Sequence, residues 1–442
     1  MADHMDAAAT ASIDGQRARW KYLDNFLYRT GPFMDESIES GEPMVETLAR
    51  AKVLVIGAGG LGCEILKNLA LSGFKDIHVI DMDTIDVSNL NRQFLFRQAD
   101  VGKYKAEVAA KFVEKRVKGV QITPYCGKIQ DKDEEYYMQF MMIVCGLDSI
   151  EARRWINATL VSMVDENNPD SLKPLIDGGT EGFKGQSRVI FPTMTSCIEC
   201  QLDMHAPRAA VPLCTLATIP RQPQHCIEWA HIIAWEEERK DITLDNDDPE
   251  HITWLYQKAL KRAEEFNIPG VTYSMTQGVV KNIIPAIAST NAIVAASCCN
   301  EAFKIATNTN PFLGFPETNN YMMYTGDESI YTYTFEHEKK EDCPVCGAGN
   351  LARPLQVDPN VTLQEFLDGL AERPEAQLKK PSIRSGEKTL YYPHVASIEE
   401  QTRHNLSKKI GELLEDGEEV AVSDKAFPTT FKYKMVFKKA GE

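Results

Sequence analysis

The sequence has 442 residues, 43% hydrophobic and 25% charged, which is the composition of an ordinary globular protein long enough for about three domains. Its formal net charge of −16 argues against general nucleic-acid binding, because that activity needs a basic surface. The odd count of eleven cysteines and the lack of a basic and then apolar pattern in MADHMDAAATASIDG predict reduced thiols and a cytoplasmic or nuclear protein.

The first part of the chain predicts a doubly wound α/β sheet. After a lead-in at residues 1–15 that we expect to be disordered, residues 52–83 have the pattern of a strand, a tight turn, a helix and a second strand. Residues 53–56 form a continuous apolar run, which is typical of a parallel strand covered on both faces. Further strands are predicted in residues 141–149 and 174–179, each ending in a polar or glycine-rich loop.

A mostly helical insertion is predicted between residues 205 and 285, where strand patterns fade. Strand patterns return in the stretches NYMMYTG, which begins at residue 320, and SIYTYTFEHE, which begins at residue 329. The apolar run at residues 282–303 is long enough to raise the question of a membrane span, but Pro285 and Asn291 interrupt it. We therefore expect this run to form a helix buried in the protein core, and no membrane partner.

The end of the chain predicts a small α+β domain of about ninety residues. The stretch GAGNLARP after Cys346 has the composition of a linker. The elements predicted beyond it are a strand at 351–357, a helix at 363–372, a strand at 389–393, a helix at 397–414 and strands at 418–424 and 430–437.

A glycine-rich turn follows the first strand. Gly57, Gly59 and Gly62 form G-x-G-x-x-G, which lets backbone N–H groups approach a phosphate at the start of a helix. Ala58 and Gly60 belong to the same turn, and Asp81 ends the next strand, where a carboxylate can accept hydrogen bonds from a ribose. Taken alone, the turn fits an NAD-dependent dehydrogenase, or glycines required only for packing.

The residues beyond Asp81 fit a triphosphate better than a dinucleotide. The stretch DMDTIDVSNLNRQFLF and the helix that follows carry cationic and amide side chains that could neutralise phosphates. Asp83 and Asp148 each follow a strand at the same predicted edge of the sheet, and their carboxylates could hold Mg²⁺. The simpler interpretation of these residues is surface charge. The candidate nucleotide residues of this region are Asp83, Asn89, Arg92, Gln93, Lys105 and Asp148.

Two C-x-x-C pairs lie roughly 140 residues apart and predict a zinc site. They are CIEC, with Cys197 and Cys200, and CPVC, with Cys343 and Cys346. Four thiolates make a closed tetrahedral Zn²⁺ site, so we expect a structural rather than a catalytic metal. A redox pair, an iron–sulfur cluster and chance are the alternatives.

Taken in order, the glycine turn, SNLNRQFLF, CGLDS, LIDGGTEGFKGQSRV and the two C-x-x-C pairs resemble the activating enzymes of ubiquitin and ubiquitin-like proteins, from about residue 16 to the end. Within that family the chain is most similar to catalytic subunits of the heterodimeric enzymes of neddylation. Sulfur-carrier adenylyltransferases share the adenylation motifs but lack the helical insertion combined with a C-terminal domain. The SUMO-activating catalytic subunits have the same plan with a further C-terminal extension.

The resemblance implies ATP- and Mg²⁺-dependent adenylation of a modifier's C-terminal glycine, thioester formation on a cysteine, and transfer to a conjugating enzyme. It also implies a second, non-catalytic subunit. The implied organisation is a lead-in at 1–15, a Rossmann-like adenylation domain at 16–204 and 286–347, a helical catalytic-cysteine domain at 205–285 and a ubiquitin-like β-grasp domain at 348–442.

The resemblance also assigns roles to single residues. It places Asp81 on the ribose, Asp148 with Asp83 on Mg²⁺, and Arg188 where an arginine selects the modifier over ubiquitin by repelling an arginine in the ubiquitin tail. It places Arg92, Gln93 and Lys105 on the phosphates.

Cys214 is the candidate nucleophile. It lies in VPLCTLATIP, between two prolines, and the residues alone leave Cys226 as a second candidate. No nearby histidine or arginine lies at a diagnostic spacing for a base or a thiolate stabiliser. The resemblance places the thioester on Cys214.

Overall fold

The computed structural model forms two compact units, Met1–His205 with Ala286–Glu442, and Ala206–Pro285. Cys214 lies outside the residues that the structure describes. Those residues are 19–29, 40–204, 220–239, 242, 244, 248–280, 286–310, 312–314, 318–347, 352–371, 378, 380–386, 388–424 and 430–438.

The larger sheet contains eight strands of the described chain in the order β3-β2-β1-β4-β5-β6-β7-β8. The pairs from β3 to β5 are parallel and those from β5 to β8 are antiparallel. The strands are β1 Lys52–Ile56, β2 Asp76–Ile80, β3 Gln121–Tyr125, β4 Met142–Cys145, β5 Leu175–Glu181, β6 Lys184–Ile190, β7 Tyr321–Thr325 and β8 Tyr331–Phe335.

Helices cover both faces of the sheet and also make up the second unit. The first helical segment of the described chain covers residues 19–27, and thirteen α-helices come after it. They are α1 Glu42–Arg50, α2 Gly60–Leu71, α3 Lys105–Arg116, α4 Glu134–Met138, α5 Ile150–Ser162, α6 Pro223–Trp229, α7 Trp235–Glu238, α8 Pro249–Glu265, α9 Tyr273–Val280, α10 Ala288–Thr307, α11 Leu363–Ala371, α12 Ala396–Thr402 and α13 Ile410–Leu413.

The central strand β1 shows why the sheet is doubly wound. Val53 and Val55 pack in one apolar core, with residues of α2 and α10. Leu54 and Ile56 pack in a second core, with residues of α5. Because successive side chains of a strand point to opposite faces, a strand covered on both faces is apolar on both, as this one is from Val53 to Ile56. The predicted α/β class is confirmed.

The apolar run after the insertion forms α10, a buried helix, as predicted. It lies against α2 and against β5 and β6, and Cys298 and Cys299 are buried in it. The helix begins at Ala288, later than the apolar run itself, and residues 281–285 lie outside the described part. None of the helices in the described residues is long and apolar enough to span a membrane.

The second unit contains four α-helices among its described residues, α6 to α9. A single π-helical turn, Ala230–Ala234, joins α6 to α7. The apolar core of the unit includes Cys226, Trp235 and Leu255, all nearly inaccessible to solvent. Helices were predicted here from the recurrence of large apolar residues.

The C-terminal domain is a five-stranded sheet in the order β11-β10-β12-β13-β9, with α11 packed on it. Its first and last strands, β9 and β13, pair in parallel, and the other pairs are antiparallel. This is the predicted β-grasp arrangement. The strands are β9 Arg353–Val357, β10 Ser382–Ser385, β11 Lys388–Tyr391, β12 Glu419–Ser423 and β13 Thr430–Phe437.

Two predictions for this domain were wrong in detail. Strand β10 was not predicted, because Ser-Ile-Arg-Ser offers a single apolar residue. The single helix expected at 397–414 is two helices, α12 and α13, with a 3₁₀ turn at Arg403–Asn405 after the first. Asn405 is buried and donates a hydrogen bond to the carbonyl of Leu390 at 3.0 Å, so a contact with β11 interrupts the helix.

Candidate functional site

The glycine turn joins β1 to α2 and leaves no room for side chains. Gly57 has a φ of 98°, and a Cβ there would lie 2.6 Å from the carbonyl oxygen of Gly146. A Cβ at Gly62 would lie 1.9 Å from the carbonyl oxygen of Gly57. The N-cap of α2 is Gly59, and no side chain caps this helix. The glycines are required by packing, and the first N–H groups of α2 remain free of side-chain caps, as an anion site at a helix start needs.

Asp81 lies directly after β2 and is hydrogen-bonded to this turn. Its carboxylate accepts from the N–H of Ala58 at 2.6 Å and from the N–H of Asp83 at 2.8 Å. Burial raises the pKa of Asp81, and these two hydrogen bonds and the charge of Lys105 oppose that rise. A carboxylate has about four acceptor positions, so acceptor capacity remains for ribose hydroxyls.

Lys105, the first residue of α3, forms an ion pair with Asp83. The Nζ–Oδ2 distance is 2.8 Å, and the lysine side chain is 10% exposed against 50% for the aspartate. The sequence placed Lys105 on phosphate and Asp83 on Mg²⁺, whereas here the two groups bind each other. The structure thus brings both predicted residues to the carboxyl end of β2.

Asp148 is exposed and follows β4 by three residues. Mg²⁺ usually takes one or two carboxylates and completes its shell with water and substrate phosphates. The Asp83 and Asp148 carboxylates match that donor set. Among the described residues, the four buried cysteines are the one group of three or more metal-type side chains close enough to share an ion.

The segment after Asp83 contains a 3₁₀ helix, Val87–Asn91. Asp86 is its N-cap, and Asn89 completes the capping box, because its Oδ1 accepts from the N–H of Asp86 at 2.9 Å. Arg92 is half-buried and donates to the carbonyl of Ser88 at 3.2 Å. Both side chains therefore have contacts within the segment in addition to their predicted roles.

Gln93 is the member of this segment that best fits a ligand site. Its side chain is 3% exposed, and its Nε2 lies 3.8 Å from the position of a Cβ at Gly59. Its Oε1 is buried without a hydrogen-bond partner. A buried carboxamide atom that lacks a partner beside a phosphate-binding turn fits a nucleotide.

Sequence analysis missed Asn291 as a site residue and used it only as a polar interruption of the apolar run. It lies on α10, accepts from the Thr180 hydroxyl at 2.7 Å, and its Nδ2 would be 2.5 Å from a Cβ at Gly60. A buried asparagine in an apolar helix was the signal that could have identified it.

Sequence analysis also missed Asp177, a fully buried carboxylate on β5. Arg153 donates to its Oδ1 at 2.9 Å, and Arg188 donates to its Oδ2 at 2.9 and 3.0 Å. Arg188 also donates to Gln201 at 2.5 Å. The signal was the Asp in LIDGG, which interrupts a strand predicted to be buried.

The setting of Arg188 differs from the one its predicted role requires. Repelling a tail residue of ubiquitin requires a guanidinium accessible to that tail, but Arg188 is 1% exposed and bonded to Asp177 and Gln201. The specificity role of Arg188 stays a prediction, and this geometry gives it no support.

The four C-x-x-C cysteines come together and are all buried. Their Sγ–Sγ distances include 3.9 Å for Cys197–Cys200, 3.6 Å for Cys197–Cys343 and 3.4 Å for Cys200–Cys346. A tetrahedron with Zn–S bonds of about 2.3 Å has edges of about 3.8 Å. The backbone N–H of Lys340 donates to the Cys200 sulfur, as is common around a metal thiolate. The cluster fits Zn²⁺.

The other described cysteines are poor nucleophiles. Burial raises the pKa of each of them, to about 12 in the case of Cys299. A thiol with a raised pKa has little reactive thiolate at neutral pH. The remaining five are Cys63, Cys126, Cys145, Cys226 and Cys298.

Comparison with known proteins gives two family matches. Residues 35–345 match the model of the ThiF family, and residues 356–437 match that of an E2 binding domain. The first match spans the glycine turn, the Lys105–Asp83 pair and three of the four C-x-x-C cysteines, and it ends one residue before Cys346.

Three curated relatives are similar over nearly the whole chain, and each is named NEDD8-activating enzyme E1 catalytic subunit. The protein of Dictyostelium discoideum is 51% identical over 95% of this chain and 97% of its own length. The Drosophila melanogaster protein is 49% identical over 96% of each. The Caenorhabditis elegans protein is 48% identical over 92% of this chain and 95% of its own. This chain therefore belongs to the ThiF family and, within it, to the ubiquitin-like modifier activating enzymes represented by these catalytic subunits.

Proposed function

We propose that this chain activates NEDD8, as its relatives are named for doing. A carboxylate oxygen of the modifier's terminal glycine attacks the α-phosphorus of ATP, and the bond to pyrophosphate breaks. The thiolate of Cys214 then attacks the acyl carbon, and AMP leaves. The thioester passes to the cysteine of a conjugating enzyme. The observation that carries the proposal is that one chain joins the adenylation family to an E2 binding domain and matches its relatives over nearly their full length.

The nucleotide site supports the first step. The glycine turn and the N-terminus of α2 offer backbone N–H groups to the phosphates, and Asp81 accepts from the ribose. Lys105 would exchange its carboxylate partner for phosphate oxygens, and Asp83 and Asp148 would then hold Mg²⁺, whose charge would help to neutralise the triphosphate. Arg92 adds positive charge near the phosphates, where pyrophosphate departs.

The second step rests on Cys214 by resemblance and by elimination. Four of the eleven cysteines form the candidate zinc site. Six others have pKa values raised by burial. Cys214 is the seventh cysteine outside the zinc site, and a conjugation enzyme of this kind needs one reactive thiol.

The partners proposed are NEDD8, a non-catalytic subunit and a conjugating enzyme that binds the domain at residues 356–437. The partner subunit is inferred from resemblance to heterodimeric enzymes. We also propose a cytoplasmic and nuclear location, on the basis of the cysteine content.

A thioester assay tests the proposal. The full chain and its partner subunit are mixed with Mg-ATP and labelled NEDD8, and the products are separated with and without reducing thiol. We expect a thiol-labile adduct that is lost in Cys214→Ala. Cys226→Ala is the matched control, because Cys226 lies in the core of the helical unit and should leave the adduct intact.

Other outcomes point to other functions. Pyrophosphate exchange that persists in wild type and in Cys214→Ala, without an adduct, would indicate a sulfur-carrier-type adenylyltransferase. Absence of both the adduct and the exchange would contradict activation altogether and favour a non-enzymatic scaffold.

A further inference from the structure

The turn after β4 carries Asp148 and lies beside the glycine turn. The carbonyl oxygen of Gly146 is 2.6 Å from the position of a Cβ at Gly57. The N–H of Gly146 donates to the carbonyl of Ile56 at 2.9 Å. Residue 148 is therefore two positions from a direct contact with the phosphate-binding turn.

One buried side chain holds this turn from the other side. The Nη2 of Arg153 donates to the carbonyl of Leu147 at 2.5 Å and to the carbonyl of Gly178 at 2.8 Å. Its Nε donates to Asp177 at 2.9 Å. A single guanidinium thus joins the residue before Asp148 to two consecutive residues of β5.

The arginine is held in place by charge. Burial alone would raise the pKa of Asp177, but the charges of Arg153 and Arg188 outweigh it and hold the pKa below its usual value. The carboxylate therefore stays ionised at neutral pH. Arg188 donates to the other oxygen of Asp177 and also contacts Gln201. The Asp177 carboxylate, which accepts from Arg153, is therefore itself fixed in position.

We propose that Arg153 is a positioning residue for nucleotide and metal binding, which acts by fixing the backbone at Leu147 and thereby the place of Asp148. This inference rests on the proposed adenylation, in which Asp148 binds Mg²⁺. Groups that orient a metal ligand commonly contribute about tenfold or more to metal affinity. Arg153 itself need not touch ATP.

The role requires the geometry of arginine. The three bonds leave from two nitrogens of one planar group and reach one acceptor in the turn after β4 and two on β5. A lysine has one nitrogen at the end of a flexible chain, so it can retain the charge next to Asp177 but cannot reproduce the planar arrangement.

Calorimetry of ATP binding to the full chain with its partner subunit tests the proposal. The variants are Arg153→Met and Arg153→Lys, each titrated with ATP in magnesium and again in EDTA. We expect affinity in magnesium to fall about tenfold for Arg153→Met and less for Arg153→Lys. Affinity in EDTA should change little. If Arg153→Met fails to fold, Arg153→Lys decides the result.

Arg154→Met is the matched control. Arg154 is the next residue of α5, equally buried, and is paired with the buried Glu199 at 2.5 Å on the segment that carries the zinc cysteines. It should lower stability without changing the magnesium-dependent affinity. The same loss of affinity in Arg154→Met would overturn the proposal, because general loosening of α5 would then explain it.

A double variant tests whether Arg153 acts on nucleotide binding through Asp148 or directly. Adding Arg153→Met to Asp148→Ala should cause no further loss of affinity in magnesium. A multiplicative further loss, or unchanged affinity in both Arg153 variants, would contradict the proposal. Failure of the wild-type complex to bind ATP at all would instead contradict the proposed function.

Discussion

The ion pair between Lys105 and Asp83 occupies two groups that the nucleotide and its metal would use. Lys105 is nearly buried, so its charge needs a partner at all times. Asp83 supplies that partner in the structure described, and a triphosphate would supply it during adenylation. The pair thus keeps the lysine oriented toward the carboxyl end of β2.

Replacing Lys105 by methionine should therefore lower the rate of ATP-dependent adenylation more than it lowers the stability of the fold. The change keeps an unbranched side chain that is one atom shorter, and it removes the charge that phosphate would meet. We expect kcat/KM for ATP in pyrophosphate exchange to fall at least about a hundredfold, whereas Lys103→Met, which affects an exposed pair with Asp100, should have little effect. Equal losses in both variants would contradict the phosphate role.

The proposed ribose contact of Asp81 predicts that ATP binding depends on pH. Its pKa is raised by burial, so the folded protein takes up this proton at a higher pH than an exposed aspartate does. Below that pKa the carboxyl group is neutral and accepts ribose hydrogen bonds poorly. We expect ATP affinity, measured by calorimetry, to fall as the pH is lowered toward that pKa.

The raised pKa of Asp81 affects the free energy of unfolding in the opposite direction from ATP affinity. Because the folded-state pKa lies above the unfolded value, the contribution of Asp81 is most favourable below both values and is lost as the pH rises through the folded pKa. Asp81→Asn should weaken ATP binding and remove this part of the pH dependence. An unaltered pH profile in Asp81→Asn would show that another group is responsible.

At the scale of elements, the glycine turn and α2 form one close-packed unit with β4. Gly57 and Gly62 approach backbone atoms within distances that no Cβ tolerates. These contacts involve main-chain oxygens, which cannot rotate away as a side chain could. The turn is therefore rigid before any ligand arrives, and rigidity of this kind reduces the entropy cost of binding.

Gly62→Ala should destabilise the protein by about 3 kcal/mol or more and abolish ATP binding, because its Cβ would meet the Gly57 carbonyl. Gly369→Ala is the matched control within a helix, since a Cβ there has open space. That control should raise stability by about 0.5–1 kcal/mol. Thermal denaturation with ATP-binding measurements compares the two, and a Gly62→Ala protein as stable as wild type would contradict the packing argument.

The elements that were predicted correctly are those whose signals are local. Strand β1, the glycine turn and α2 follow from an apolar run, three glycines and a helical pattern within twenty residues. The break between α12 and α13 and the bonds of Arg153 to β5 depend on residues distant in sequence. Asn405 ends a helix only because Leu390 is near it. No pattern within a short stretch of sequence indicates such contacts, so they are visible only in the structure.

At the scale of the whole molecule, the four-cysteine cluster joins residues that lie on either side of the helical unit in the sequence. Cys197 and Cys343 are 146 positions apart and lie in one buried group. The cluster belongs to the same apolar core as Ile56 of β1 and Ile156 of α5. A metal there would hold the end of the first adenylation segment to the end of the second.

We expect one zinc ion per chain, measured by elemental analysis. Cys343→Ser should reduce the zinc content and destabilise the protein by about 4 kcal/mol or more, because the remaining thiols are buried and lose their metal. Cys126→Ser, at a half-buried cysteine outside the cluster, should keep both the zinc and the stability. Full zinc content in Cys343→Ser would contradict the four-cysteine site.

The order of strands in the larger sheet has a consequence for how the protein is made. Strands β7 and β8, Cys343 and Cys346 all follow the helical unit in the sequence. A ribosome therefore releases residues 206–285 before the sheet can be completed, and a domain usually folds soon after it emerges. The unit whose sequence includes the candidate thioester cysteine can thus fold first, and the nascent adenylation unit must wait with Cys197 and Cys200 until Cys343 and Cys346 are synthesised.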